Sequence, residues 1–380
     1  MTYLAEAKKE QLISIAQAAE QHRDRIEQAR IIPDDLALQL KESGVIRTWA
    51  AQSLGGQQGH IRELIDAVRL LAFYNGSLAW ITAVTGTASL SSGFVRPEGQ
   101  IPIFQDPLSM VGGLAAPAGM AIPQEGGILV TGRWSWGSGI QHCSHIVGGV
   151  ILMSTDGSNP KPALAFFDPK DVKFIDNWHV GGLKGTNSID YEVNELFVPN
   201  SHWIDFPVQD PVIDAPLYRF SFFGALSSGV AAVSLGLADR ALHELKKLST
   251  GKAPRGSRRT LSERANVQEQ LARMEAQFRS ASLLLEHEID RSWAHAESGT
   301  FDIQARAALR LAAVHATETA AQVVGQAYRI GGGSSIWDGV KLLELFRDVN
   351  TVTQHGLVSQ NLYEMCGKAS LGLKVNPGLL

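Results

Sequence analysis

Residues 127–153 read GILVTGRWSWGSGIQHCSHIVGGVILM and lie between two long regions of helical periodicity. The runs GILVTG and HIVGGVILM are short, rich in β-branched residues and bounded by glycines, which is typical of strands. Similar signals recur from residue 107 to residue 210, together with many glycines and prolines. The sequence therefore predicts a central β domain over residues 107–215.

Helices are expected on both sides of this domain. Upstream, apolar residues recur at intervals of three and four from Leu4 to about Val95, and Pro33 with Asp34 and Ser43 with Gly44 suit the ends of one short helix. Downstream of Tyr218, four helical stretches follow, the last of them running through LVSQNLYEM. We predict an α+β protein with an N-terminal helical domain (1–106), a central β-barrel domain (107–215) and a C-terminal four-helix bundle (216–380).

Composition excludes several classes of protein. The chain has 380 residues, 44% of them hydrophobic and 19% charged, with a net charge of -4, so a folded protein without a basic surface for nucleic acid is expected. Cys143 and Cys366 are too far apart in sequence to suggest a disulfide framework or a cysteine-rich zinc site. The charged N-terminal segment and the lack of an apolar run of 18 residues favour a cytoplasmic protein with no membrane partner.

The segment GRWSWGSGIQHCSH, residues 132–145, has the composition expected for binding a planar cofactor. Two indoles around a serine favour a flat apolar surface beside a hydrogen-bond donor, although Trp134 and Trp136 also suit the core of a strand. His142 and His145 are three residues apart and would face opposite sides of a strand. We therefore expect no metal site here.

Four segments, in this order along the chain, resemble the acyl-CoA dehydrogenase superfamily: LKESGVIRTWAAQSLGG, NGSLAWITAVTG, GRWSWGSGIQHCSH and YRIGGGSSIWDGVKLLELFRDVNTVTQHG. More narrowly, the chain resembles the oxygenase components of two-component (group D) flavin-dependent monooxygenases, such as p-hydroxyphenylacetate hydroxylase and the steroid-degradation phenol hydroxylases. The resemblance implies a homotetramer that takes reduced flavin, FADH2 or FMNH2, from a separate NAD(P)H:flavin reductase. With O2 as co-substrate it would hydroxylate or epoxidise a small aromatic compound, phenol- or indole-type, through a C4a-hydroperoxyflavin.

The same resemblance assigns residues to the flavin. It places Trp136 against the ring, Ser138 at the N5 edge, and the small residues Gly113, Ala115 and Ala116 at the pyrimidine end. Arg258 or Arg259 would bind the flavin phosphate, and the turn with Gly332 and Gly333 would contact flavin, often that of a neighbouring subunit. Plain turns and a surface loop remain alternative interpretations of these glycines and arginines.

His355 stands where the acyl-CoA dehydrogenases have a glutamate base. An imidazole suits a phenolic proton near neutral pH, and helix capping is the alternative role. His142 and Trp80 are expected on the substrate side, although His142 equally suits the surface. Some relatives have a further histidine where this chain has Ala88, which widens the choice of substrate to indole-type compounds. An acyl-CoA dehydrogenase-like oxidoreductase is the alternative function, and a flavin-binding protein without turnover is a third.

Overall fold

The computed structural model describes residues 3–154, 159–206, 210–254, 256–376 and 380. Helices precede and follow a block of strands, as the sequence predicts. The helices before the strands are α1 (Glu6–Gln21), α2 (Arg23–Ala29), α3 (Asp34–Glu42), α4 (Ile61–Tyr74), α5 (Gly76–Ala88) and α6 (Pro97–Phe104). The strands are β1 (Val111–Gln124), β2 (Gly127–Gly137), β3 (His145–Leu152), β4 (Lys161–Phe167), β5 (Lys173–Ile175), β6 (Ile189–Pro199) and β7 (Trp203–Asp205). The helices after them are α7 (Pro216–Arg219), α8 (Phe222–Gly251), α9 (Ala265–Ser298), α10 (Ile303–Gly331), α11 (Lys341–Val352) and α12 (Leu362–Ser370).

The short helix predicted between Pro33 and Gly44 is confirmed as α3. Pro33 occupies the N-cap, and Gly44 has a φ of +72°, a conformation that glycine adopts without strain. Further along, α5 is buried on nearly all sides and packs against α8 and the start of the sheet. Trp80 in α5 therefore lies at the junction of all three regions.

The central β domain is a single seven-stranded sheet in the order β5-β6-β2-β1-β3-β4-β7. Its edge strands β5 and β7 are not paired with each other within the described residues. β1 pairs antiparallel with β2 and parallel with β3, which places the start of β1 beside the start of β3. Trp134 lies in the core on one face of this sheet, where its fully buried ring stacks on Tyr191 at a centroid distance of 5.3 Å.

The last helix of the bundle differs from the prediction. The helix predicted through LVSQNLYEM is confirmed in its second half, because α12 begins at Leu362 within this segment, whereas residues 353–361 form turns that include the 3-10 turn Gly356–Val358. His355 has extended backbone angles, φ -72° and ψ 129°, and lies on the turn between α11 and α12.

Among the described residues, one bundle helix is long and apolar enough to cross a membrane. It is α8, but 78% of its most apolar window is buried inside the fold. Such burial is typical of the core helix of a bundle.

Candidate active site

A β-bulge separates the two tryptophans of β2. The pairing of β2 with β6 shifts register between Trp134 and Gly137, and Trp136 has a φ of +65°, a strained value for an aromatic residue. Trp134 is fully buried and its Nε1 donates to the carbonyl of Gly149 at 2.7 Å, whereas the Trp136 side chain is 66% exposed. Trp134 is therefore a core residue, and Trp136 presents its indole outside the core.

Two residues after this indole, the buried hydroxyl of Ser138 is the centre of a hydrogen-bonded group. Trp80 Nε1 donates to Ser138 Oγ at 2.9 Å, and Ser138 Oγ lies 2.7 Å from Ser188 Oγ. Ser188 Oγ is in turn 2.7 Å from the hydroxyl of Thr186. The structure thus brings together Trp80 and Ser138, two residues singled out from distant segments of the sequence.

His355 joins the same group through Trp80. The two rings meet edge to face with centroids 5.4 Å apart and an interplanar angle of 74°. His355 also caps the following turn, because its Nδ1 accepts the Leu357 N–H at 3.3 Å. The capping role predicted as an alternative is therefore present.

The environment of His355 keeps its ring neutral. Burial, and secondarily the positive charge of Arg310, lower the pKa of His355 to about 4. Since Nδ1 accepts a backbone N–H, the neutral ring carries its proton on Nε2. His355 is thus arranged to donate a hydrogen bond from Nε2, which is a different task from removing a proton.

Sequence reasoning missed Arg310, although it is the buried charge next to the site. Its side chain is fully buried in α10, and Nη1 donates to the carbonyl of Phe223 at 3.0 Å. Within the described residues its Nε and Nη2 have no hydrogen-bond partner, and burial lowers the pKa of Arg310 to about 10. The available signal was an arginine within the otherwise apolar run ALRLAAV.

His142 lies outside the group formed by Trp80, Ser138 and His355. The segment Ile140–His142 is a 3-10 turn after Gly139, so the expectation that His142 and His145 share a strand is wrong. The His142 ring is buried with Nδ1 3.4 Å from Asp34 Oδ1, and burial lowers its pKa. In the described part of the chain no recorded contact joins His142 to Trp80, Ser138 or His355, and no group of three or more His, Cys, Asp or Glu residues is placed to hold a metal ion.

The small residues of β1 have partners inside the sheet. Gly113 has a φ of +144°, and a Cβ there would lie 2.0 Å from the carbonyl oxygen of Val147. A Cβ on Gly149 would lie 2.2 Å from the carbonyl of Ala115 and 2.5 Å from that of Ala116. The protein's own packing therefore explains Gly113, and contact of these three residues with flavin stays a prediction.

The predicted phosphate-binding residues lie on the surface. Arg258 and Arg259 are exposed on the loop between α8 and α9, and Gly332 and Gly333 are exposed on the turn after α10. Lys252 in the same loop donates to the carbonyl of Gly331, so loop and turn are adjacent. Contact of either with flavin stays a prediction.

Known proteins match this fold and these segments. Residues 228–360 match the family model described as acyl-CoA dehydrogenase, C-terminal domain. An indole-3-acetate monooxygenase of Acinetobacter baumannii is 25% identical over 352 residues, which cover 92% of this chain and 90% of the relative. Among solved structures, 3-HSA hydroxylase from Rhodococcus sp. RHA1 superposes with a TM-score of 0.90 at 22% identity over 98% of both chains. XiaF from Streptomyces sp., solved with FADH2 and glycerol, reaches 0.89 at 20% identity over 96% of both.

These matches cover the helical regions and the sheet together, so the similarity is not confined to one segment. They confirm the resemblance inferred from the four motifs. The chain has the fold of 3-HSA hydroxylase and XiaF, matches the acyl-CoA dehydrogenase model over residues 228–360, and is similar, along nearly its whole length, to oxygenase subunits of flavin-dependent monooxygenases.

Proposed function

We propose that this chain is the oxygenase component of a two-component flavin-dependent monooxygenase that acts on a small, electron-rich aromatic compound. The observation that carries the proposal is the meeting of an indole, a hydroxyl and a neutral imidazole at Trp80, Ser138 and His355. These groups come from α5, the end of β2 and the turn after α11, and a shared site is the simplest reason for their convergence.

The residues present fit a flavin. Trp136 offers an exposed apolar ring, and Ser138 Oγ two residues later has hydrogen-bonding capacity beyond its two recorded contacts. A reduced flavin bound there supplies the two electrons with which one oxygen atom of O2 enters the substrate and the other leaves as water. Trp136 would cover the ring, Ser138 would hold its N5 edge, and the buried surroundings of Ser138 would limit access of water.

The state of His355 narrows the substrate class. A neutral imidazole with its proton on Nε2 orients a substrate by donating a hydrogen bond, but it is a poor base for a phenol near neutral pH. Ala88 stands where some relatives have a second histidine. Both features favour an indole-type compound, which is electron-rich without losing a proton, and indole-3-acetate monooxygenases are among the relatives.

The alternative is oxidation of an acyl thioester. That reaction needs a carboxylate base, and the turn where it belongs reads Gln354-His355-Gly356. The described contacts of His355 and Trp80 include no carboxylate. The monooxygenase is therefore the better-supported function.

One experiment separates the two functions. The purified chain is supplied with reduced flavin from an unrelated NAD(P)H:flavin reductase, with ¹⁸O₂ and with indole, indole-3-acetate, phenol, 4-hydroxyphenylacetate or acyl-CoA compounds. An aromatic product carrying one ¹⁸O atom supports the proposal. Bleaching of oxidised flavin by an acyl-CoA, without oxygen incorporation, would replace it with the dehydrogenase.

The assembly and location follow the same proposal. We expect a cytoplasmic protein that forms a homotetramer, and the exposed apolar side chains Leu283 on α9 and Leu311 on α10 suit an interface between subunits. Light scattering coupled to gel filtration tests the tetramer, and a monomer at micromolar concentration would contradict it.

A further inference from the structure

We propose that Ser188 and Thr186, held in place by Asp348, orient the Ser138 hydroxyl so that its oxygen can only accept a further hydrogen bond, and that this makes the site select reduced over oxidised flavin. The inference rests on the proposed function, which puts the N5 edge of the flavin at Ser138. It assigns positioning roles to three residues that do not themselves touch the flavin.

The direction of the hydroxyl chain follows from counting hydrogens. Thr186 Oγ1 donates to the carbonyl oxygen of Leu183 at 2.8 Å, which uses its single hydrogen. The 2.7 Å bond between Thr186 and Ser188 must then be donated by Ser188. Ser188 has no hydrogen left, so Ser138 donates the next bond, also 2.7 Å long.

At the other end of this row of hydroxyl groups, Trp80 donates to Ser138. An indole Nε1–H is only a donor, and it lies 2.9 Å from Ser138 Oγ. Ser138 thus donates its one hydrogen to Ser188 and accepts one hydrogen from Trp80. One lone pair on Ser138 Oγ remains, and this oxygen can serve a ligand only as an acceptor.

Asp348 holds the loop whose Leu183 carbonyl accepts the hydrogen of Thr186. Leu183 adopts left-handed backbone angles, with φ 51°, and its N–H donates to Asp348 Oδ1 at 2.6 Å. Next to it, a Cβ on Gly182 would lie 2.4 Å from the carbonyl of Arg347, so the loop is pressed against α11. The Leu183 carbonyl that accepts from Thr186 is therefore held by a buried contact with a rigid helix.

An acceptor-only oxygen at Ser138 distinguishes the two redox states of the flavin. Reduced isoalloxazine carries a hydrogen on N5, whereas N5 of the oxidised ring has a lone pair. An oxygen that only accepts forms a hydrogen bond with the reduced ring and opposes a lone pair in the oxidised ring. One such hydrogen bond in a buried site corresponds to a discrimination of about 5- to 30-fold in affinity.

The test compares the affinities of both flavin states without turnover. Wild-type protein and variants are titrated anaerobically with reduced and with oxidised FMN and FAD, and the ratio of the two Kd values is the readout. In Ser188→Ala the Ser138 hydrogen loses its acceptor and can turn to a bare N5, so the preference for reduced flavin should fall about 5- to 30-fold. Thr186→Val should act in the same direction, because it removes the group that orients Ser188.

Asp348 has a paired test. In Asp348→Asn an amide oxygen still accepts the Leu183 N–H, and the ratio should be retained. In Asp348→Ala the loop loses its anchor, and the ratio should fall. Ser234→Ala is the control, because Ser234 is also fully buried and, among the described residues, its hydroxyl bonds to the carbonyl of Val230 in its own helix α8.

A second readout reports on the row of hydrogen-bonded hydroxyl groups itself. In protein labelled with ¹⁵N-tryptophan, the Trp80 indole N–H signal, assigned with Trp80→Phe, should shift in Ser188→Ala and not in Ser234→Ala. An unchanged Kd ratio in folded Ser188→Ala and Thr186→Val overturns the inference while leaving the proposed function intact. Binding of neither flavin state by the wild type would instead overturn the proposed function. If Ser188→Ala does not fold, Thr186→Val gives the same decision.

Discussion

Replacing His355 with glutamine should remove a large part of the acid sensitivity of this protein. The pKa of His355 falls from the ordinary 6.5 to about 4 in the folded state, so between these values the unfolded chain binds a proton that the folded chain does not. Stability from this residue is therefore complete above pH 6.5 and is lost as the pH falls towards 4. Going from pH 7.5 to pH 5 should cost about 2 kcal/mol, at about 1.4 kcal/mol per pH unit between the two pKa values.

The assay is urea unfolding of wild-type and His355→Gln protein from pH 5 to pH 7.5, followed by circular dichroism. The free energy of unfolding of the wild type should fall by about 2 kcal/mol more than that of the variant across this range. His287→Gln is the control, because that side chain is exposed on α9 and should leave the profile unchanged. Parallel profiles for wild type and His355→Gln would refute a neutral, buried His355, and with it the argument for a hydrogen-bond donor at Nε2.

Three further perturbations test the surroundings. Arg310→Met removes the charge that contributes to the low pKa of His355, so NMR titration should show a higher pKa for His355, and an unchanged value would contradict that coupling. Trp136→Ala should weaken binding of reduced flavin at least several-fold while leaving the melting temperature within about 2 °C, since the side chain is exposed; equal affinity would remove Trp136 from the site. Arg62→Met should lower the unfolding free energy by about 1–2 kcal/mol, because buried Arg62 pairs with Asp66, Glu286 and Asp290 while these carboxylates are partly exposed to solvent, and an unchanged free energy would contradict this role.

The parts of the fold that depend on local sequence were predictable. Helix α3 between Pro33 and Gly44 follows from end signals within a dozen residues, and the strands follow from glycine-bounded apolar runs. The errors lie where one residue redirects the backbone. Gly139, with a φ of +66°, turns the chain before His142, and the turn that begins at extended His355 delays the last helix, predicted through LVSQNLYEM, to Leu362.

The contacts that make the site were not predictable in this way. Trp80 and Ser138 are 58 residues apart, Ser138 and Ser188 are 50 apart, and Leu183 and Asp348 are 165 apart. Family resemblance indicated Ser138 and His355 as individual positions. It did not indicate that Ser188 takes the Ser138 hydrogen, nor that Arg310 affects the protonation of His355, because both effects depend on the tertiary packing.

Asp348 is the place where the three supports of the site meet. It accepts the Leu183 N–H, and a Cβ on Gly76 would lie 2.8 Å from its Oδ2, so the start of α5 is packed against the same carboxyl group. Trp80 follows Gly76 by about one helical turn, and His355 follows Asp348 just beyond the end of α11. Because one buried side chain spaces α5, the loop before β6 and α11, a shift at Asp348 must move the indole, the hydroxyl chain and the imidazole relative to one another. The geometry of the site is thus set by packing between helices, and the loops that carry Ser188 and His355 are held by it.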